Sequence, residues 1–267
     1  MSALSSRFSR PASRYLLWVL TGLLLWLVFV ISQIPASWAA WAMTRSGQVG
    51  LTGVSGTLWQ GSASLASFRV DQTDYSLGQL RWDLDPWTLL LLKPCAVIAT
   101  ELDRQHIDGK VCSGISGELS LHDTTISAPA SLLKAAVPLP LDGQISAQIK
   151  RMDLQGDYLK SLQGNFSWTS AQINNGKNWM RLGSYAAELK DDQQGGIEAQ
   201  VFHLDGPTQV DMQVHLLAGG GGSAKGSLMM SREFTREVEA DAWISMFAQL
   251  EQTDAEGNNH YRVELEF

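Results

Sequence analysis

The run "YLLWVLTGLLLWLVFVISQI", Tyr15 to Ile34, holds twenty residues without a charge. At a rise of about 1.5 Å per residue it reaches roughly 30 Å, the thickness of a bilayer's hydrocarbon core. It predicts a transmembrane helix over 15–34. Arg7, Arg10 and Arg14 are the only charged residues before Ile34, and the next basic residue is Arg45. That asymmetry puts a tail, residues 1–14, in the cytoplasm and almost everything else outside it. A cleaved secretory signal is the alternative, with small residues at Ala40 and Ala42 for a peptidase. Secretory apolar regions run about 7 to 15 residues, whereas this one is longer and carries Trp18 and Trp26, which favours an uncleaved anchor.

Beyond the anchor the chain is acidic. Three of its 20 basic residues lie in the tail, which leaves 17 against 27 acidic ones, a net charge of -10. No basic surface remains for nucleic acid. "PASWAAWAMTRSG", residues 35–47, reads as an interfacial tether, its Trp38 and Trp41 suited to the membrane–water boundary.

From there to about Met230 apolar and polar residues alternate. Leu80, Trp82 and Leu84 alternate with Gln79, Arg81 and Asp83; Val210, Met212, Val214 and Leu216 alternate with Gln209, Asp211, Gln213 and His215. A period of two marks half-buried strands. In "QISAQIKRMDL" the apolar phase flips at Lys150 and Arg151, which predicts a β-bulge that keeps both halves facing the core. "PASLLKAAV" is a short helical candidate. The run 233–250 places Trp243, Met246, Phe247 and Leu250 at helical spacing, which predicts a late helix with a buried stripe. "HYRVELEF" closes the chain as a strand. The predicted fold is mainly β: one N-terminal transmembrane helix, then a mostly antiparallel, curved or groove-like sheet over 48–267 with one late helix.

Cys95 and Cys112 bracket "CAVIATELDRQHIDGKVC", which reads as a β-rich run and its return through "DG", a hairpin with its two ends facing each other. A disulfide there suits an oxidising compartment and would contribute about 3 kcal/mol by loop closure; two free thiols are the alternative. Neither belongs to a CxxC pair, which argues against metal.

A weak repeat is visible. "GVSGTL" at Gly53 and Gly56 recurs as "GISGEL" at Gly114 and Gly117, and "GQLRW" ending at Trp82 recurs as "GNFSW" ending at Trp168. It suggests two β units, 48–113 and 114–230, followed by a C-terminal helix and strand, with chance resemblance as the alternative.

The chemical motifs fail on inspection. "GVSGTLWQGSA" lacks the spacing of a nucleophile elbow, and an alternating, β-branched run rather than a helix follows it. Its Gly53, Gly56, Gly61 and Trp59 read as strand-initiating and packing residues. "GGGGSAKGS" from Gly219 has Ala224 and Gly226 where a Walker loop needs glycine and Ser or Thr, so it reads as a hairpin tip. The five histidines show no metal-ligand spacing. Asp83 and Asp85 read as an edge or turn rather than a catalytic pair. No enzyme, metal or cofactor is expected, and the tryptophans are assigned to cross-strand packing.

The ordered set "PASWAAW", "GVSGTLWQGSA", "LGQLRWDLDPWTLLL", "VPLPLDGQISAQI", "LQGNFSWTSAQI" and "RLGSYAAEL" resembles protein N of the bacterial type II secretion system, over essentially the whole chain. The resemblance implies a single-pass inner-membrane protein of a Gram-negative envelope with a periplasmic β domain. It implies a non-catalytic accessory or scaffolding role in exporting folded proteins, with platform proteins C, L and M and the outer-membrane secretin as partners. The alternative is a membrane-tethered, AsmA-like β-groove protein that binds or transfers lipid. A continuous apolar trough would favour that alternative and a filled core would remove it.

Overall fold

The computed structural model describes residues 12–45, 47–70, 73–114, 116–135, 140–156, 158–174, 176, 178–240 and 244–267. Helix α1 (Ala12–Ser32) is long and apolar enough to cross a membrane, and none of Tyr15–Ser32 is buried by the rest of the chain. Pro35 breaks off a second helix, α2 (Ala36–Thr44).

Fourteen strands follow in one sheet: β1 (Val49–Gly56), β2 (Gln60–Val70), β3 (Thr73–Leu84), β4 (Cys95–Leu102), β5 (Gln105–Ser113), β6 (Glu118–Pro129) and β7 (Leu141–Gln155). The second half holds β8 (Tyr158–Asn174), β9 (Trp179–Asp191), β10 (Ile197–Asp205), β11 (Thr208–Leu216), β12 (Gly222–Met230), β13 (Ala248–Thr253) and β14 (Asn259–Glu266). Each strand from β1 to β11 pairs antiparallel with its successor in sequence; β14 then pairs with β12, and β13 lies outside β14. The sheet is open, with β1 and β13 as its edges.

The register explains what the alternation achieves. Directly paired residues run Val54, Ala63, Leu80, Thr100, Ile107, Ile126, Ala147 across β1 to β7. The same row continues as Phe166, Ala187, Val201, Met212, Gly226, Val263 and Ala248 to the far edge. One position along, the row reads Ser55, Ser62, Arg81, Ala99, Asp108, Thr125, Gln148, then Asn165, Glu188, Gln200, Gln213, Lys225 and Glu264. Successive side chains point to opposite faces, so the first row is apolar across the sheet except at Thr100 and Gly226, and the second is polar except at Ala99.

Bulges keep those faces in phase. The β7–β8 register shifts between Ile149 and Arg151, at the predicted phase flip. Another shift falls between His203 and Asp205, opposite Gly183. Gly183 sits at φ +113°, where a Cβ would run into the Asp205 carbonyl, so the two strands approach there only because the residue is glycine.

A packed cluster exists only toward the far edge. α4 (Arg232–Glu237), capped by the Ser231 hydroxyl accepting from the Phe234 N–H, leads Phe234, Val238, Ala240 and Ile244 onto Met230, Ala248, Tyr261 and Val263. This corrects the expected helix over 233–250. α4 ends at Glu237, and after a 3-10 turn at Ile244–Met246 the chain is already strand β13, drawn into the ladder by pairing with β14. Met246, Phe247 and Leu250 are exposed rather than buried, and Trp243 lies outside the described residues. The segment at "PASLLKAAV" is a 3-10 turn, Ala130–Ala135.

Cys95 and Cys112 are directly paired across β4 and β5 and joined by a disulfide, 17 residues apart in sequence. A Cys95→Ser/Cys112→Ser double variant is expected to unfold at lower denaturant concentration, by about 3 kcal/mol of lost loop constraint. An unshifted midpoint for the full chain in detergent would remove that role. Thr100, in the apolar row, is 3% exposed, and its hydroxyl has no hydrogen-bond partner. Thr100→Val keeps the shape and removes the orphaned group, so it is expected to stabilise by on the order of 1 kcal/mol; a lower midpoint would contradict it.

Candidate functional site

Two features of the molecule carry functional potential: the corner where α1 meets the sheet, and the apolar face.

At the corner the helix exit is bonded to the first hairpin. The Trp59 Nε1–H donates to the Ile31 carbonyl at 2.9 Å, and the Leu58 N–H donates to the Ile34 carbonyl at 2.8 Å. Pro35 and Thr57 form a bridge between them. The last carbonyls of a helix have no intrahelical donor, and here the turn of "GVSGTLWQGSA" supplies donors. α2 packs on β1 through buried Ala36 and Ala40, while Trp38 and Trp41 face outward and the Arg45 guanidinium lies 5.3 Å from the Trp41 ring. The helix therefore enters the sheet without a free linker.

The apolar face holds a trough of about 380 Å³ over β8–β12, lined by Phe166, Trp168, Leu182, Val201, Val210, Met212 and Leu228 among others. Its backbone groups are engaged in the sheet ladder, so the surface it offers is almost wholly hydrocarbon. On the polar side a groove of about 600 Å³ includes Gln148, Asn165, Glu188 and Lys190. Opposite charges neighbour each other there, the Lys190 ammonium lying 3.7 Å from Glu188.

The singled-out residues fall into structural places. Gly53 and Gly56 lie in β1 at positive φ, and Ser55 shares a 3.0 Å hydroxyl contact with Ser62 on the polar row. Gly61 pairs directly with Trp82, whose ring lies where a Cβ of residue 61 would stand. The Trp82 Nε1–H donates to the Leu58 carbonyl at 3.1 Å, and the Trp168 Nε1–H donates to the Asp142 carbonyl at 3.0 Å. Each "G-x-apolar-x-W" tryptophan thus ties its strand to a backbone carbonyl. Gly114 and Gly117 form the turn between β5 and β6, and the β5–β6 ladder runs through that boundary. Arg14 lies in α1; Arg7 and Arg10 lie outside the described residues.

Asp85 caps α3 (Pro86–Leu90), accepting from the Trp87 N–H, and Asp83 accepts from Gln60 at 3.0 Å. The two aspartates therefore serve separate local structures. Gly219–Gly221 form the tip between β11 and β12. Among the described residues no group of three or more His, Cys, Asp or Glu side chains is placed to hold a metal ion.

Sequence spacing missed two pairs. His215 Nε2 lies 2.8 Å from Asp192 Oδ2, while Asp192 Oδ1 accepts from the Gln194 and Gly196 N–H groups, both at 2.7 Å. Asp254 repeats the device, accepting from the Glu256 and Asn258 N–H groups with His260 Nε2 at 3.4 Å. In both, an aspartate organises a hairpin turn and a histidine two strands or one strand away completes it. The residues are 23 apart in the first pair, so only the turn chemistry of "DDQQGG" hints at it.

The hydrogen bond from His215, followed by those of the two backbone amides, holds the Asp192 carboxyl below the usual carboxylate range against the opposing effect of burial. A carboxylate with a lowered folded-state pKa stabilises above its unfolded value, about 3.9, and loses that contribution as pH falls through the folded value. Hydrogen exchange is expected to show the Gln194 and Gly196 amides protected to below about pH 3.9 in the native chain, and already unprotected at neutral pH in Asp192→Ala. Equal protection in the two proteins would sink this reading.

Comparison with known proteins agrees with this frame. The chain is 30% identical over 175 residues to the type II secretion system protein N of Aeromonas hydrophila, a match covering 63% of this chain and 67% of that protein. It is 30% identical over 170 residues to the type II secretion system protein N of Vibrio cholerae serotype O1, covering 60% and 64%. The match thus spans about two thirds of each relative's length. No solved structure matches. The family model described as "Type II secretion system (T2SS), protein N" matches residues 47–252, from the start of β1 into β13. The chain belongs to the type II secretion system protein N family.

Proposed function

We propose that this chain is a non-catalytic accessory or scaffolding component of the type II secretion system, held in the inner membrane by α1 with its N-terminus in the cytoplasm and its β domain in the periplasm. The observation that carries the reading is the bonded junction of α1 with the first hairpin, through Trp59 and Leu58. It fixes a rigid, open sheet to a single apolar helix, as a scaffold at a membrane requires. The arginines on the N-terminal side of the helix support the topology, and the disulfide suits an oxidising compartment. On this reading residues 1–14 are the tail, 35–47 the interfacial tether and 48–267 the periplasmic domain.

The open edges β1 and β13 offer unpaired backbone groups for strand addition, and β13 carries exposed Leu250 beside Phe247. Platform proteins C, L and M, and the secretin across the periplasm, are the partners this role calls for. The apolar trough favours a second reading, a groove that holds lipid in the envelope. A peptide laid on that face would leave its own backbone unsatisfied, because the sheet's groups are already paired; an acyl chain has no such groups.

One experiment separates the two readings. A photo-crosslinking residue is placed in cells either at Leu250 on the edge or at Phe166 in the trough, and the attached molecules are identified by mass spectrometry. Platform proteins captured at Leu250 are expected for the scaffold, and lipid at Phe166 for the groove. Neither capture, together with undiminished secretion of every type II substrate on deletion of the chain, would overturn both.

A further inference from the structure

The connection between β3 and β4 exposes hydrocarbon that no other described residue covers. Trp87 is 74% exposed, Leu91 75% and Leu92 62%, in a segment with the sequence "DPWTLLLLKP". A mobile loop would expose side chains at random, but this one is closely tied. The Asp85 carboxylate accepts from the Trp87 N–H at 3.0 Å, and the Thr88 hydroxyl donates to the Asp85 carbonyl at 2.7 Å. The Cys95 N–H donates to the Thr88 hydroxyl at 3.0 Å, and the Asp85 N–H donates to the Cys95 carbonyl at 2.9 Å. Cys95 is itself fixed to Cys112 by the disulfide. The apolar side chains are therefore held outward by a rigid base.

The position of that base identifies what they face. Adjacent antiparallel strands alternate direction, so the β1–β2 turn and the β3–β4 connection lie at the same end of the strands. The contact is direct: the Leu84 N–H donates to the Trp59 carbonyl, and the Trp59 indole N–H donates to the Ile31 carbonyl in the last turn of α1. Two hydrogen bonds thus separate the residue before the loop's Asp85 cap from the end of the apolar helix. Exposed Trp38 and Trp41 flank the same exit, and Lys93 follows the two leucines, its side chain exposed and its ammonium 3.8 Å from Glu118. Tryptophan, leucine and a flanking lysine at one corner match the chemistry of a bilayer interface, where indoles sit at headgroup level and lysine reaches toward phosphate.

We propose that the β3–β4 loop is a second membrane contact: Trp87, Leu91 and Leu92 insert into the lipid interface beside α1, and the disulfide holds the loop in the inserting shape. This rests on the reading that α1 spans the membrane. It goes beyond that reading by seating one end of the sheet's first four strands on the bilayer, which fixes the tilt of the β domain as a single helix cannot.

The test uses the full chain reconstituted in nanodiscs of phosphatidylethanolamine and phosphatidylglycerol, with p-benzoylphenylalanine placed singly at Leu91, at Trp26 within α1, or at Leu204. Leu204 is also exposed but lies in β10 beside the β10–β11 turn, at the opposite end of the strands. After irradiation, intact-mass spectrometry is expected to show phospholipid adducts at Trp26 and at Leu91, with Leu91 several-fold above Leu204. Lipid at Trp26 with Leu91 no higher than Leu204 would overturn the loop contact and leave the anchor standing. A covalent dimer at Leu91 in place of lipid would overturn it in favour of a second copy. Lipid at neither Trp26 nor Leu91 would overturn both the loop contact and the anchor.

Discussion

Register is the constraint on which this molecule depends. In a sheet without a second layer, a slip of one residue between any two strands would carry an apolar row onto the polar face. The row from Val54 to Ala248 holds through all thirteen pairings while bulges in six of them absorb the local shifts, one of them in the β7–β8 ladder where the sequence phase changes at Lys150. The result is unusual for a soluble sheet: Val54 at one edge and Ala248 at the other belong to the same row. Small residues occur repeatedly along it, at Ala63, Ala147, Ala187 and Gly226. Burial follows the same logic, since no large side chain among the described residues is fully buried. Stability comes from the backbone ladder and from neighbours on one face rather than from a packed interior.

The junction with α1 fixes this sheet to an apolar helix long enough to cross a membrane. A flexible tether would let the domain sample many orientations. Here α2 is packed on β1, and the hairpin turn bonds the carbonyls of Ile31 and Ile34. Whatever sits at the end of α1 is therefore transmitted to β1, β2 and β3 as position rather than merely as proximity. The same corner explains why Trp82 and Trp59 are both drawn to the turn: one ties β3 to Leu58, the other ties the turn to the helix.

Much of this was legible in the residues because period two, a twenty-residue uncharged run and paired cysteines are local signals. The strands around Leu80 and Val210, the bulge at Lys150 and the cysteine hairpin follow from neighbours within a few positions. The late helix is present as α4, but it stops at Glu237 rather than reaching Leu250, for a physical reason. Met246, Phe247 and Leu250 fall at helical spacing, but the chain there completes a hairpin with β14, and the pairing of Leu250 with Tyr261 outweighs the local pattern. Long-range pairs such as His215 with Asp192 leave no trace in spacing. The exposure of Leu91 and Leu92 is also invisible from sequence; only the ladder on both sides shows that the segment leaves the sheet.

The far end of the sheet shows what the open face would otherwise become. α4 and the turn after it place Phe234, Val238 and Ile244 over Met230, Tyr261 and Val263, a covering layer of the chain's own on the apolar face. The layer stops at Met212 and Leu228, which border both the cluster and the trough. A sheet built only to bury hydrocarbon would extend that cover along its length. Here the cover ends where Phe166, Trp168 and Val201 begin, and the opposite edge is tied to the apolar helix α1. The uncovered middle therefore lies between a covered end and a helix-bound one, the arrangement expected of a surface kept for a partner.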